Sequence, residues 1–314
     1  MRKGWVAKIV VLLLFPFYSL WIGWSQGIDL FVAFGSLYAF VQAIPKWILR
    51  KPMVTFVRGD SSIGMIMQNS PKLLLRMNKV IEHLGLAFSD RIVTVNTATY
   101  EKIGRIMKGK KNVEVKLLFN NIPLRGNIAK EGYDKTKTRF GIPEGSKVLV
   151  TAGIINRGKN IESLIRCLSR IGMDNLFLLV VGEGFTRADL GYENYLKDLT
   201  SALGLTEKVI FTGWLEKREV LEIFQAADLF ILPSTQEGMP NVILEAMATD
   251  LLCIGSNIPG IKDILHHEEL MFEPTDEDAM VKKVHQLFSN KIFFNEAKRL
   301  FQDREKDFFF DWKE

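Results

Sequence analysis

The sequence predicts a two-lobed α/β protein, each lobe a parallel sheet with helices on both faces. Three observations lead there. Short β-branched or apolar runs alternate with longer helical patterns almost throughout. A stretch rich in Gly, Pro and Asn, residues 119–146, interrupts that alternation once. And 314 residues are enough for two domains. The expected boundaries are a first lobe at 1–122, a hinge at 123–146, a second lobe at 147–292, and a helical tail at 293–314.

Taken in order, the first-lobe strands are expected at 29–34, 53–57, 91–95 and 113–118. Helical stretches lie between them at 37–49, 71–86 and 98–108. In the second lobe the strands are expected at 148–152, 176–181, 209–211, 229–232 and 251–254. Ile161, Leu164, Ile165 and Leu168 form one apolar stripe on the helix after the first of these. Pro274 and Asp276 start another helix carrying Met280, Val284 and Leu287. The tail is helical in pattern and unusually aromatic (Phe308, Phe309, Phe310, Trp312), and it is expected to pack back on the first lobe. In open parallel sheets, ligands bind beyond the carboxyl ends of the strands, so the two lobes are expected to face each other across a cleft.

Bulk composition narrows the function. Apolar residues make up 47% and charged residues 25%, too polar a mixture for a multi-span membrane protein. The net charge of +5 suits an anionic partner such as a nucleoside diphosphate or an acidic lipid surface, and nucleic acid is not expected. Cys167 and Cys253 stand far apart in apolar stretches and read as two buried free thiols. At the N-terminus, Arg2, Lys3 and Lys8 precede an apolar run at 9–22, roughly 21 Å long as a helix and interrupted by Pro16. A membrane-docking or buried helix is favoured over a true anchor. The expected location is cytoplasmic, with peripheral contact at the inner face of a membrane through residues 1–24.

The chemistry concentrates in Pro233–Ala248, which leaves a strand and enters a helix. Gly238 permits close backbone approach, and Pro240 suits a first helical turn. Backbone N–H groups from Gly238 through Met239 and Asn241 to Val242 sit where an anion would meet the positive end of the helix dipole. Glu237 precedes that turn, and Glu245 lies four residues after Asn241 on the same helix face. Spacing alone fits two carboxylates bracketing one ligand, and it also fits a capped amphipathic helix with solvated acids. Asp276-Glu-Asp278 looks like a metal-binding pair but reads as a helix cap. His266 and His267 read as a solvated loop.

The Glu237–Glu245 segment, with Glu-Gly-Met-Pro-Asn and Leu-Glu-Ala-Met-Ala inside it, resembles the E-x7-E signature of the retaining glycosyltransferases of family 4, which have the GT-B fold. Further landmarks follow in order: LLVVGEG at 178–184, IFTGW at 210–214, AADLFILPS at 226–234, and 255–265 with Asp263 in the place of a Glu. The resemblance spans roughly 28–312. It implies two Rossmann-like lobes, with the first incomplete at the N-terminus and the chain shortened at the C-terminus.

The resemblance also implies roles. Glu237 contacts the donor sugar, and Glu245 holds the ribose. A basic Arg/Lys pair neutralises the diphosphate. Gly153 and Lys159 fit that pair's spacing, but Ile154 stands where the Arg belongs, and Arg157 is the candidate replacement. Gly182, Gly213 and Trp214 belong to the loops that meet the nucleotide, with Gly238, Met239, Pro240 and Asn241 at the diphosphate. The implied activity is retaining transfer of a hexose from a UDP- or GDP-sugar to a glycan or lipid-linked acceptor, with no metal and no further cofactor. Ile154 and the short first lobe leave open a non-catalytic or impaired sugar-nucleotide-binding homologue. Sugar-nucleotide epimerisation is a third option, disfavoured by Glu-Gly-Met-Pro-Asn.

Overall fold

The computed structural model describes residues 2–59, 71–110, 113–122 and 133–310. Asp60, the segment 123–132 and Trp312 lie outside these, as do the side chains of Arg2, Lys3 and Lys8. The chain divides into two compact units, Met1–Phe119 and Asn120–Glu314.

The first unit runs α1 (Arg2–Gln26), β1 (Phe31–Phe34), α2 (Ser36–Leu49), β2 (Met53–Val57), α3 (Lys72–Ala87), β3 (Arg91–Thr94), α4 (Thr97–Ile106) and β4 (Glu114–Leu117). Its four strands are all parallel, in the order β1-β2-β3-β4. Two apolar clusters fill it: Phe31, Ala33, Ala39 and Met53, and then Val57, Leu86, Ile92, Ile103 and Met107. Asp90 sets the register of β2 against β3. Its carboxylate accepts from Met53 N at 2.7 Å, and its own N–H donates to Met53 O at 3.0 Å. Asn96 is extended and its side chain accepts from Thr99 N at 2.8 Å, which starts α4. α1 is longer than its apolar run suggested, 25 residues or about 37 Å, with Pro16 inside it. No described helix is long and apolar enough to cross a membrane.

The second unit runs α5 (Tyr133–Arg139), β5 (Lys147–Ala152), a 3₁₀ turn (Arg157–Lys159), α6 (Ile161–Ile171), β6 (Leu176–Val181), α7 (Arg187–Ala202), β7 (Val209–Gly213), α8 (Lys217–Ala226), β8 (Leu229–Leu232), α9 (Asn241–Ala248), β9 (Cys253–Ser256), α10 (Pro259–Leu265), β10 (Met271–Phe272), α11 (Glu277–Ser289) and α12 (Lys291–Glu305). Its six strands are parallel, in the order β10-β9-β8-β5-β6-β7. Strands β8 and β9 are buried at every residue, as a parallel sheet covered on both faces requires. Asp228 repeats the device of Asp90: it accepts from Val148 N at 2.8 Å and pairs with Lys147 at 2.8 Å, locking β8 onto β5. Asp276 caps α11 by accepting from Ala279 N at 2.8 Å. Cys167 and Cys253 are buried free thiols; burial pushes Cys167 up to about 12 and Cys253 well above its ordinary value, so both are inert.

Three expectations need adjusting. The stretch 123–146, read as a linker, contains α5. This helix is held by Arg139 to Glu219 at 2.7 Å and by Lys137 Nζ to Ser146 O at 2.8 Å. The tail from 293, expected on a first lobe ending at 122, bonds to Asn121 and Ile122 at the end of that range and otherwise within the second unit, which starts at Asn120. Lys298 pairs with Asp250 at 2.9 Å, and Arg304 donates to Ile264 O at 3.0 Å and to Asp263 O at 2.7 Å. Phe308 O accepts from Ile122 N at 2.9 Å. Strand β9 starts two residues later than expected, because Asp250 turns left-handed (φ 59°) and Leu251 N still donates to Ala246 O, closing α9.

The first unit contains a helix crossing that admits no side chain. A Cβ on Gly85 of α3 would lie 2.0 Å from Ser36 O of α2. Gly85→Ala is therefore expected to cost about 1–3 kcal/mol, the usual penalty of overpacking, and to lower the thermal midpoint by several degrees. An unchanged midpoint would mean the two helices separate freely.

Candidate functional site

The site forms where the strand order of the second sheet reverses. Strand β5 has β8 on one side and β6 on the other, so the loops after β5 and β8 leave in opposite directions and open a crevice between them. Two hydrogen bonds lace these loops together: Thr235 N donates to Gly158 O at 2.9 Å, and Thr235 Oγ1 to the same oxygen at 3.4 Å. Asn160, left-handed at φ 51°, ends the β5 loop; its Nδ2 donates to Pro274 O at 3.1 Å and its Oδ1 accepts from Ser163 Oγ at 2.9 Å.

Across this lacing the structure brings Lys159 and Glu237 together. Lys159 Nζ lies 2.6 Å from Glu237 Oε1, both side chains being mostly covered. Ser234 Oγ donates to the same Oε1 at 2.8 Å. Both bonds fall on one oxygen, and Oε2 has no hydrogen-bond partner among the described residues. Gly153 lies against the Lys159 side chain, and its backbone has a positive φ of 137°, which favours glycine.

Arg157 is placed elsewhere. Its guanidinium carbon lies 5.3 Å from the centre of the Tyr192 ring, which is buried. Ile154, at the position where the resemblance expects an Arg, is 44% exposed.

The ends of β6 and β7 are drawn against β5. Gly153 N donates to Val181 O at 2.9 Å and Gly182 N to Gly213 O at 3.1 Å. A Cβ on Gly182 would lie 2.1 Å from Gly153 O, so the approach of β6 to the β5 loop depends on that glycine. Gly184 N donates to the Glu193 carboxylate at 2.9 Å, and Lys197 pairs with the same group at 2.7 Å. Trp214, after β7, is 61% exposed and meets Phe185 edge-on with ring centres 5.6 Å apart.

The turn into α9 is held from two sides. A Cβ on Gly260 of α10 would fall 1.8 Å from Gly238 O, so α10 backs directly against the turn. Asn120 grips it from the other side. Asn120 N donates to the Met239 sulfur at 3.2 Å, and Asn120 Nδ2 donates to Asn241 Oδ1 at 2.6 Å. Met239 is buried beneath. Pro240, expected in the first helical turn, is instead the extended residue before it (φ −76°, ψ 107°), and the helix starts at Asn241. Helix starts leave their first amides without intrahelical partners, and that start now falls at Asn241.

Glu245, on the first turns of α9, pairs with Lys217 at 3.4 Å. Each acid of the Glu237–Glu245 segment therefore carries its own lysine. Sequence reasoning found both acids and Lys159, but missed Lys217, Ser234 and the Asn120 clamp. Asn120 lies at the start of the Gly-, Pro- and Asn-rich stretch 119–146, and nothing local in the sequence marks Lys217 as a partner of a residue 28 positions on.

The glycosyl transferases group 1 family profile matches residues 133–306, more than half of the sequence. The chain belongs to that family. An uncharacterized glycosyltransferase of Methanocaldococcus jannaschii is 27% identical over 272 residues, covering 83% of this chain and 67% of that protein. N-acetyl-alpha-D-glucosaminyl L-malate synthase of Bacillus anthracis is 26% identical over 192 residues, covering 61% of this chain and 47% of that protein. The chain also spans 37% of an Escherichia coli UDP-Gal:alpha-D-GlcNAc-diphosphoundecaprenol alpha-1,3-galactosyltransferase, 32% identical over 154 residues and 44% of this chain. Among solved structures, Anabaena Alr3699/HepE in complex with UDP and glucose superposes with a TM-score of 0.78 at 18% identity, covering 94% of this chain and 77% of that one. The fold is that of the GT-B glycosyltransferases.

The Glu193 carboxylate gives a pH test. Burial raises its pKa, but the Lys197 ammonium and the Gly184 N–H outweigh that and hold it below the ordinary 4.5. A depressed folded pKa contributes stability above about pH 4.5 that is lost as pH falls through the folded value. Glu193→Gln should therefore flatten the acid-side loss of stability, read as the urea midpoint between pH 5 and 3. Equal slopes in the two proteins would contradict this.

Proposed function

We propose that the chain is a retaining hexosyltransferase of family 4, moving a hexose from a UDP- or GDP-sugar to a glycan or lipid-linked acceptor without a metal. The observation that carries the reading is the Lys159–Glu237 pair at the strand-order reversal, with Glu237 Oε2 left for a ligand. A diphosphate entering there meets the Lys159 ammonium and the amides at the start of α9. These stabilise the charge that develops as the bond from the sugar C1 to the phosphate oxygen breaks. Glu237 Oε2 accepts the hydroxyls of the donor sugar. Glu245, poised by Lys217, accepts the ribose diol, and the exposed Trp214 ring offers a face to the base. Arg157 joins the phosphates only by giving up the Tyr192 ring. The acceptor hydroxyl replaces the diphosphate on C1 and releases its proton. In this reading the protein acts in the cytoplasm, with α1 in peripheral contact with a membrane.

Ile154 supports a second reading, a non-catalytic sugar-nucleotide-binding homologue. With the second cation missing from its expected place, Lys159 alone meets the diphosphate within the β5 loop.

Titration calorimetry with UDP and GDP tests the donor site. Glu245→Ala is expected to weaken the preferred nucleotide by about 1.5–3 kcal/mol, the scale of a hydrogen bond to a charged group, or roughly 10- to 150-fold. Equal affinity in wild type and variant contradicts the ribose role. Incubation with UDP- and GDP-hexoses and membrane or glycan acceptors separates the two readings. The transferase reading predicts acceptor-dependent turnover, insensitive to EDTA, with the donor's anomeric configuration kept in the product. Donor binding without turnover supports the second reading, and loss of turnover in EDTA overturns the metal-free chemistry.

A further inference from the structure

The outward face of the first unit's helices breaks the usual surface rule. In α2 the exposed residues are Leu37, Tyr38, Ile44, Trp47 and Ile48, every one apolar or aromatic, with Trp47 80% exposed. Helix α1 packs against α2 and exposes Leu13, Phe17, Trp21 and Trp24 along one side. Helix α3 also packs against α2. On α3, Leu73, Met77, Val80 and Leu84 recur at i, i+4, i+7 and i+11 and are all exposed, so they form one stripe. The neighbouring stripe, one residue back at each step, is Lys72, Arg76, Lys79 and His83, also exposed. Lys72, Arg76 and Lys79 make no ion pair among the described residues. The one acid in the three helices is Glu82 of α3, which is buried and pairs with Lys102 at 3.1 Å. A soluble partner surface of this kind would ordinarily intersperse both signs of charge.

We propose that this face of α1, α2 and α3 docks on an anionic phospholipid bilayer, with the α3 stripe of Leu73, Met77, Val80 and Leu84 in the headgroup–acyl boundary and Lys72, Arg76 and Lys79 on the phosphates. Charge complementarity selects this occupant. An apolar stripe beside a cationic one, with no exposed acid, is the pattern of a helix lying in a membrane interface. Tyr38, Trp21, Trp24 and Trp47 have the amphipathic rings that settle at headgroup depth. A second copy of the chain would bring no acid on this face to meet the three cations. The inference deepens the proposed membrane contact of α1 by adding α2 and α3 to it, and the donor site is read by a different measurement.

The test is cosedimentation of the full chain with vesicles of phosphatidylcholine alone or with equal phosphatidylglycerol, at low and high salt. Wild type is expected to bind the anionic vesicles, weakly or not at all the neutral ones, and to release in high salt. The triple variant Lys72→Gln, Arg76→Gln, Lys79→Gln should lose about 100-fold in vesicle affinity, roughly fivefold per charge. Met77→Gln with Val80→Gln should weaken low-salt binding to the anionic vesicles although every cation is kept. UDP or GDP affinity should stay unchanged in all of them, which separates failure of docking from failure of the donor site. Equal binding by wild type and the α3 variants overturns the proposal. So does wild type that ignores anionic vesicles, or that forms a dimer dissolved by the Val80 substitution.

Discussion

One topological constraint governs the site: strand β5 lies between β8 and β6, and the loops that leave β5 and β8 diverge from that point. Nothing local brings Lys159 near Glu237, since 78 residues separate them. The parallel register of Leu149 with Leu229 and of Val150 with Phe230 does so, with Asp228 pinning the start of β8 to β5. Once the strands are fixed, Thr235 on Gly158 sets the spacing of the two loops, and the ammonium and carboxylate meet. A partly buried pair of this kind adds little to stability, because desolvation offsets most of the attraction. Its value is positional: two opposite charges are held beside each other with one carboxylate oxygen to spare.

The sequence showed the second unit more clearly than the first, for a physical reason. Strands such as Leu176–Val181 and Leu229–Leu232 are buried on both faces, so their apolar runs are unbroken and bounded by Gly or Pro. In the first unit β1 buries alternate residues and β4 buries none fully; both are short, and their ends shift by a residue or two from expectation. Helix α5 was hidden inside a stretch whose Gly and Pro content argues for a loop; its contact with α8 through Arg139 and Glu219 is a tertiary effect. The acids of the Glu237–Glu245 segment were legible because they share one turn and one helix. Lys217 and Asn120 were not, because each reaches that segment from another part of the chain.

The two units also differ in what they leave on the surface. The second unit places Gly153, Lys159, Gly182 and Glu237 in the loops at the carboxyl ends of its strands. In the first unit, helices α1, α2 and α3 expose mainly apolar and cationic side chains and no acid. Under the proposed reading, the second unit takes the nucleotide donor and the first meets the lipid surface.

The most direct measurement is the crystal structure of the chain with its preferred nucleotide diphosphate. The account predicts a diphosphate oxygen within hydrogen-bond distance of Lys159 Nζ and of an amide at the start of α9, with the ribose hydroxyls on Glu245. A nucleotide bound elsewhere, with the Lys159–Glu237 pair undisturbed and Glu245 still on Lys217 alone, would contradict it.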